Sequence, residues 1–491
     1  MSFPFKTRRR RRRTLAVMNT PTRCPHHSPP HAADASAAHR LHPPGAWPPG
    51  PPPGLTGWGL LRQMSRDLLG TLDRWRERYG DLVHLRIWPE HQVVLSDPAL
   101  VRELLIKHHD DLVRWERGTR VLSQLHGHSV FIAEGEAWRT RRQALQPAFL
   151  PKPVHGFVPA IAAATRRAFE RWDADNDAWP IESAFTSLGM DVIVRTLFSS
   201  EIDADARAAE RAVHDTAVAA DAELYWPASW PDWAPWKRAK RDGIRLLGRL
   251  IARHIESRLA LPQEAWPQDL LSRLLAMHFA DPAAWPLRAV HDECMTAFMA
   301  GHETSAATLT WWAWCMAANP SAQDAARQEV ATLLQGRTPS AEDLPALAVL
   351  TRTLQETLRL YPAAPLLLTR RALRPITLGG WQFPARTLFS VPLRLMHHDA
   401  RWFPDPQAFR LERFADDAPA IPRGAYMPFG AGARVCLGQH LAMTEMTVIA
   451  AMFLQRFTVA APDGMAAPAP ALHITLRPAQ QLRLQLRARA P

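Results

Sequence analysis

Ten residues near the C-terminal end, Phe429-Gly-Ala-Gly-Ala-Arg-Val-Cys-Leu-Gly438, constrain this chain more than any other stretch. They place Cys436 in a glycine-rich loop, two residues after Arg434, at the start of a long apolar helix beginning near Leu437. A buried structural cysteine needs no such glycines. A thiolate is a soft, strongly donating metal ligand, and a helix N-terminus favours the deprotonated form through its free N–H groups and dipole. Gly432 and Gly438 let the backbone approach a flat group closely, and Arg434 is placed to pair with an anion on it. No second cysteine or histidine stands nearby at zinc spacing. One thiolate with one arginine points to haem and its propionates.

The rest of the composition fits a large, ordered, helix-rich body. With 491 residues the chain can bury a sizeable core, and 19 tryptophans argue against disorder. The formal charge of +12 is unevenly spread. In the first fifty residues nine cations, six of them the run Arg8 to Arg13, face the single acid Asp34, so the body is only mildly basic. That balance favours an acidic protein partner or anionic cofactor over nucleic acid. The arginine run itself reads as a disordered tail with Met18 as an alternative start, as a transit peptide, or as a surface patch. No stretch approaches the ~20 apolar residues of a membrane span. Cys294 and Cys315 lie on one predicted helix about 30 Å apart at ~1.5 Å per residue, beyond any disulfide. The cysteine pattern suits a reducing cytosol, so a cytoplasmic protein is expected.

Along the chain, 1–41 reads as a basic tail, 42–54 as a proline-rich tether, and 55–491 as one domain without repeats or composition breaks. The stretches "DLVHLRI" and "HQVVLS" alternate like paired strands. From about 136 to 360 the pattern is helical, interrupted by "YWPASWPDWAPW" (225–236), and strand-like runs with a Gly379-Gly380 turn occupy 365–395.

Three more clusters carry chemistry. "AGHET", Ala300 to Thr304, sits in an apolar helix expected from about Leu287 to Asn319, where Ala297, Gly301, Thr304 and Thr308 share one small-residue face. Thr304 has an alternative in bonding back to the Ala300 carbonyl. Glu303 is costly on such a helix unless it is paired or working. "ETLR" places Glu356 and Arg359 on one helical face, by themselves an ordinary surface pair. "WRTRR" does the same for Trp138 and Arg142.

Phe429-x-x-Gly-x-Arg-x-Cys-x-Gly438 resembles the haem-binding loop of the cytochrome P450 family, in its soluble bacterial type, and the other clusters follow in that family's order from about Pro48 onward. The resemblance implies a mainly α fold with a small β-rich lobe, a helical prism around a buried haem b whose axial thiolate is Cys436. It implies cofactor contacts from Arg434, Phe429, Gly430, Ala300, Gly301, Trp138 and Arg142, with a further propionate contact from Arg371 or its neighbour Arg370. Thr304 and Glu303 become the acid–alcohol pair that supplies protons during dioxygen activation. Arg413, in "FRLERF", becomes the third member of a buried network with Glu356 and Arg359, although Leu411 stands where the family usually has proline.

The activity so implied is monooxygenation of a hydrophobic small molecule by a monomer. Only 55 residues follow Cys436, too few for a reductase domain, so electrons are expected from a separate ferredoxin or flavodoxin with its reductase. The alternatives are a peroxide-driven hydroxylase, an isomerase using the same haem, and a haem-thiolate ligand-binding protein without turnover. The lining expected for the substrate is the loop 113–135, the 225–236 segment, Thr308, Leu366 and Leu367.

Overall fold

The computed structural model describes residues 42–489 apart from 44, 202–205, 226–233, 235 and 236. The arginine run, Cys24 and most of the 225–236 segment therefore lie outside the described residues. Five helices carry the site: α1 (Gly135–Leu145), α2 (Ile181–Phe198), α3 (Leu287–Ala318), α4 (Ala348–Leu360) and α5 (Gln439–Arg456). Seven strands matter to it: β1 (Leu82–Ile87), β2 (Glu90–Leu95), β3 (Leu112–Arg114), β4 (Arg370–Ala372), β5 (Leu388–Ser390), β6 (Pro470–His473) and β7 (Thr475–Pro478).

The helices form the main body around two large apolar cores, and the strands build a smaller lobe over cores of their own. The central helix is α3. Its 32 residues are apolar on nearly every side, as expected of a helix enclosed by others, and Asn319-Pro320 ends it one residue earlier than the sequence suggests. It crosses α2 closely. A Cβ at Gly189 would come within 3.0 Å of the His302 carbonyl oxygen, and one at Gly301 within 2.6 Å of Ile193 Cδ1. The small size of Gly301 is thus required by α2, and not only by a flat group on the other side.

The five-stranded sheet runs in the order β1–β2–β5–β4–β3. β1 and β2 pair antiparallel from Leu82 opposite Leu95, and only β2 with β5 is parallel. β3 and β4 pair antiparallel with Arg114 opposite Arg370 and Val113 opposite Arg371. The Gly379-Gly380 turn forms as expected, both residues at positive φ. The described part of the proline-rich segment is no free tether. Trp47 stacks on His84 and His91 with centroids 4.3 and 4.4 Å apart, and the His84 N–H donates to the Pro49 carbonyl at 3.0 Å.

The ion pair suggested by "ETLR" is fully buried. Arg359 holds both Glu356 oxygens at 2.7 and 2.8 Å, and Arg413 Nε reaches Glu356 Oε1 at 3.1 Å. The spare Arg359 donors go to the carbonyls of His397, Pro406 and Ala408. This ties α4 to the irregular segment that leads to the cysteine loop. Removing one partner of a buried pair leaves a naked charge, at a cost of about 3–5 kcal/mol. Glu356→Ala should therefore lose most of its folded, haem-retaining protein in thermal melts, whereas Arg413→Ala, which leaves Glu356 paired to Arg359, should lower the midpoint only modestly.

Candidate active site

The loop that holds Cys436 is closed by its own backbone. The Cys436 N–H donates to the Phe429 carbonyl at 2.9 Å, Val435 to Gly432, and Gly430 to Met427. Gly430 and Gly432 both have φ near +75°, which only glycine adopts cheaply. A side chain at Gly432 would also strike the Leu105 carbonyl oxygen at 2.5 Å, so this glycine makes room for protein backbone rather than for the cofactor expected there. Upstream, buried His397 accepts the Met427 N–H at Nε2. Burial and Arg359 push its pKa down to about 3, keeping it a neutral acceptor.

Helix α5 starts at Gln439 with Gly438 as its N-cap, so Cys436 precedes the helix instead of opening it. The thiol lies deep in the protein yet presents accessible surface. Burial raises its pKa, against the opposing pull of the Gly438 N–H and the Arg142 guanidinium. A second deep but accessible surface lies on α3. Along the middle of this otherwise buried helix, Ala297, Ala300, Gly301 and Thr304 remain accessible, a stripe at i, i+3, i+4, i+7 spacing. Thr308, the next residue of that face, is buried and donates to the Thr304 carbonyl at 2.9 Å. Ser305, adjacent to Thr304, bonds Glu445 on α5, so the helix with the stripe and the helix after the cysteine loop are in direct contact.

The acid–alcohol pair is split in this structure. Thr304 Oγ1 donates to the Ala300 carbonyl at 2.7 Å. Glu303 is buried, accepts from Thr475 Oγ1 at 2.9 Å, and lies 3.5 Å from Arg477 Nε. Its partners come from β7, almost at the end of the chain, where no local pattern announces them.

Arginines gather beside the loop. Arg114, Arg370 and Arg434 line one small cavity with His109 and Glu134. Arg434 bonds Glu134 Oε2 at 2.5 Å and the Ala133 carbonyl at 2.9 Å, and its guanidinium covers the Trp138 ring at 3.9 Å. Trp138 thus steadies Arg434 by a cation–π contact. Burial and the neighbouring Arg114 pull the Arg434 pKa down to about 9, and burial with Arg114 takes Arg370 to about 10. Burial lowers Arg142 too, while Cys436 opposes the shift. Like charges directly opposite on paired strands are destabilising, and Arg114 faces Arg370 in just this way. Buried Arg114 Nε also lacks a partner. One carboxylate, Glu134, serves three guanidiniums, so the cluster suits a group bringing two more carboxylates.

Of the two neighbours considered for a propionate contact, Arg370 lines this small cavity and Arg371 does not. Successive strand residues point to opposite faces, and Arg371 is held by Glu90 at 2.8 Å and Glu116 at 2.7 Å. Arg141 is likewise committed inward, to buried Glu293 at 2.8 Å. Arg114 was not singled out from sequence because only the β3–β4 register sets it against Arg370, nor was Glu134, the N-cap of α1, because its partner Arg434 is far along the chain. Among the described residues no group of three or more His, Cys, Asp or Glu side chains is placed to hold a metal ion. The site's donor set is therefore a single thiolate with a cationic rim, which fits a haem carrying its iron with it. A larger cavity of about 510 Å³ opens next to this rim, floored by Val113, Ile132 and Ala137.

The comparisons with known proteins agree. The cytochrome P450 family profile matches residues 48–485. Cytochrome P450 734A4 of Oryza sativa subsp. japonica is 30% identical over 79% of this chain and 78% of its own length. Cyclooctat-9-en-7-ol 5-monooxygenase of Streptomyces melanosporofaciens is 31% identical over 80% and 88%, and the cytokinin hydroxylase of Arabidopsis thaliana 30% over 84% and 82%. The fold matches that of retinoic acid-bound cyanobacterial CYP120A1 with a TM-score of 0.78 at 23% identity, over 90% of this chain and 99% of that one. The chain is therefore a member of the cytochrome P450 family of haem-thiolate monooxygenases.

Proposed function

We propose that this monooxygenase holds haem b between the α3 stripe and the Cys436 loop and hydroxylates a neutral, hydrophobic molecule with electrons from a separate ferredoxin or flavodoxin. The observation that carries the reading is the pair of accessible surfaces deep in the protein, one a thiol and the other a row of small residues. When bound, the haem supplies dioxygen activation and oxygen insertion.

The chain's own residues do the rest. Cys436 Sγ would hold the haem iron and lend it electron density, and the Gly438 N–H with Arg142 supports its anionic form. Arg370, Arg434 and Arg114 take the propionates, with Trp138 behind Arg434. Ala300 and Gly301 leave room for a flat ring, with Phe429 and Gly430 on the loop side. Thr304 Oγ1 holds and passes a proton; its present bond to the Ala300 carbonyl leaves the hydroxyl oxygen free to accept another. Glu303 replenishes that proton through water once its contacts with Thr475 and Arg477 loosen.

A neutral substrate is favoured because the charged groups around the 510 Å³ cavity are committed: Arg114 to Glu134, Arg141 to Glu293, Glu116 to Arg371. Its apolar floor lies in the 113–135 loop singled out from sequence, and its size suits a small-molecule ligand. Among the relatives, one is named for acting on cyclooctat-9-en-7-ol, a neutral alcohol. An accessible hydroxyl and a buried acid side by side at Thr304 and Glu303 serve proton supply, which simple ligand carriage does not need. A reducing, cytoplasmic setting is supported by Cys294 and Cys315, both buried free thiols.

Optical titration of the ferric holoprotein against neutral terpenoid alcohols, steroids and fatty acids tests this. A saturable high-spin shift with the neutral ligands, and none with the carboxylates, is expected; the reverse order overturns the neutral-substrate reading. Cys436→Ser should lose the thiolate spectrum altogether, and a retained spectrum would refute the ligand assignment. Thr304→Ala should keep haem while diverting electrons to peroxide, measured as peroxide formed per NAD(P)H consumed. Arg370→Leu should weaken haem retention on gel filtration, whereas Arg371→Leu should keep haem and melt earlier, having lost its bonds to Glu90 and Glu116.

A further inference from the structure

On α3 the hydroxyls of Thr304, Thr308 and Thr310 all donate to carbonyls of their own helix four residues back, at 2.7 to 2.9 Å. Ser305 does not. Its hydroxyl crosses to α5 and donates to Glu445 Oε2 at 2.9 Å, both side chains being almost wholly buried. Other buried acids of the described helices are paired: Glu293 with Arg141, Glu303 with Arg477, Glu356 with Arg359, Asp269 with Arg258, and Asp292 with His291 and the His128 N–H. Glu445 has no charged partner among the described residues, and its second oxygen, Oε1, has no partner at all. Burial pushes this carboxyl up to about 8, so it is neutral at neutral pH.

A neutral acid with one orphaned oxygen is an expensive way to fill an apolar core. The place it occupies gives it a use. Ser305 follows Thr304 directly, and Glu445 lies on the helix that continues from the Cys436 loop. The Ser305–Glu445 bond is thus a polar, directional tie between the two halves of the site, where the surrounding contacts are non-directional apolar packing.

We propose that Ser305 and Glu445 are a positioning pair, which sets how closely the Thr304 turn of α3 approaches the cofactor held by the Cys436 loop. This rests on the reading that Thr304 and Cys436 lie on opposite sides of the haem. The pair touches neither substrate nor cofactor and acts through the register of α3 on α5. Glutamine at 445 keeps the carbonyl oxygen that Ser305 needs, while leucine removes it.

The test is the infrared stretch of carbon monoxide bound to the ferrous holoprotein, which senses how close the α3 turn lies, recorded with the visible spectrum of the same samples. Ser305→Ala and Glu445→Leu should shift and broaden the stretch with the thiolate spectrum intact, and Glu445→Gln should follow the wild type. Ser305→Ala is small enough to fold if Glu445→Leu does not. A Ser305→Ala stretch that coincides with the wild type overturns the pair. Peroxide release by Thr304→Ala, measured alongside, separates the two readings. Tight coupling there refutes the role given to Thr304, whereas a shifted stretch in Thr304→Ala with a silent Ser305→Ala refutes only the positioning pair.

Discussion

The buried Glu356–Arg359 pair is the interaction on which the cysteine side of the molecule depends. Two opposite charges without water gain little against a well-packed apolar pair, so net stability is a poor account of why they are there. Their geometry is a better one. A guanidinium offers five donors in a fixed plane. Two go to Glu356, and the remaining ones collect the carbonyl of His397, at the end of a short helix, and those of Pro406 and Ala408 in the irregular stretch beyond it. Irregular backbone can be buried only if its polar groups find partners, and here one side chain supplies several. Arg410 adds its own N–H to Glu356. The segment so fixed includes His397, which in turn holds Met427 at the foot of the Cys436 loop.

From that anchor the site is assembled by elements of different kinds. The loop is held by backbone bonds and positive-φ glycines, α3 by close crossing with α2 at Gly189 and Gly301, and the arginine rim by strand register. None of these depends on the next in sequence. Each places one or two groups, and the reacting geometry is their intersection. This is the usual division between a rigid scaffold and the few side chains it aims.

Much of this was legible in the sequence where the controlling forces are local. The apolar run of α3 and its proline end, the β1–β2 alternation, the double-glycine turn and the cysteine loop all depend on residues a few positions apart. Which of Arg370 and Arg371 faces the small cavity was not legible, because it turns on which face of β4 looks inward, and that follows from pairing with β3. Arg114 was invisible for the same reason. The partners of Glu303 could not be named from "AGHET" because they lie on β7, far along the chain. "ETLR" alone reads alike in water and in a core, so its burial was legible only through the family resemblance and is seen in the fold. Gly301 and Gly432 were correctly noticed as needing space, but the neighbours that need it are Ile193 and Leu105.

The arginines facing each other across β3 and β4 have a consequence for how the protein is assembled. A sheet edge that sets Arg114 against Arg370 stores repulsion in the cofactor-free chain. An anion that relieves this repulsion binds the native state and not the unfolded one, so its binding free energy is added to folding. Haem capture and completion of the small lobe become one thermodynamic event. Without such an anion the small lobe keeps a cationic seam where Arg114 and Arg370 face each other.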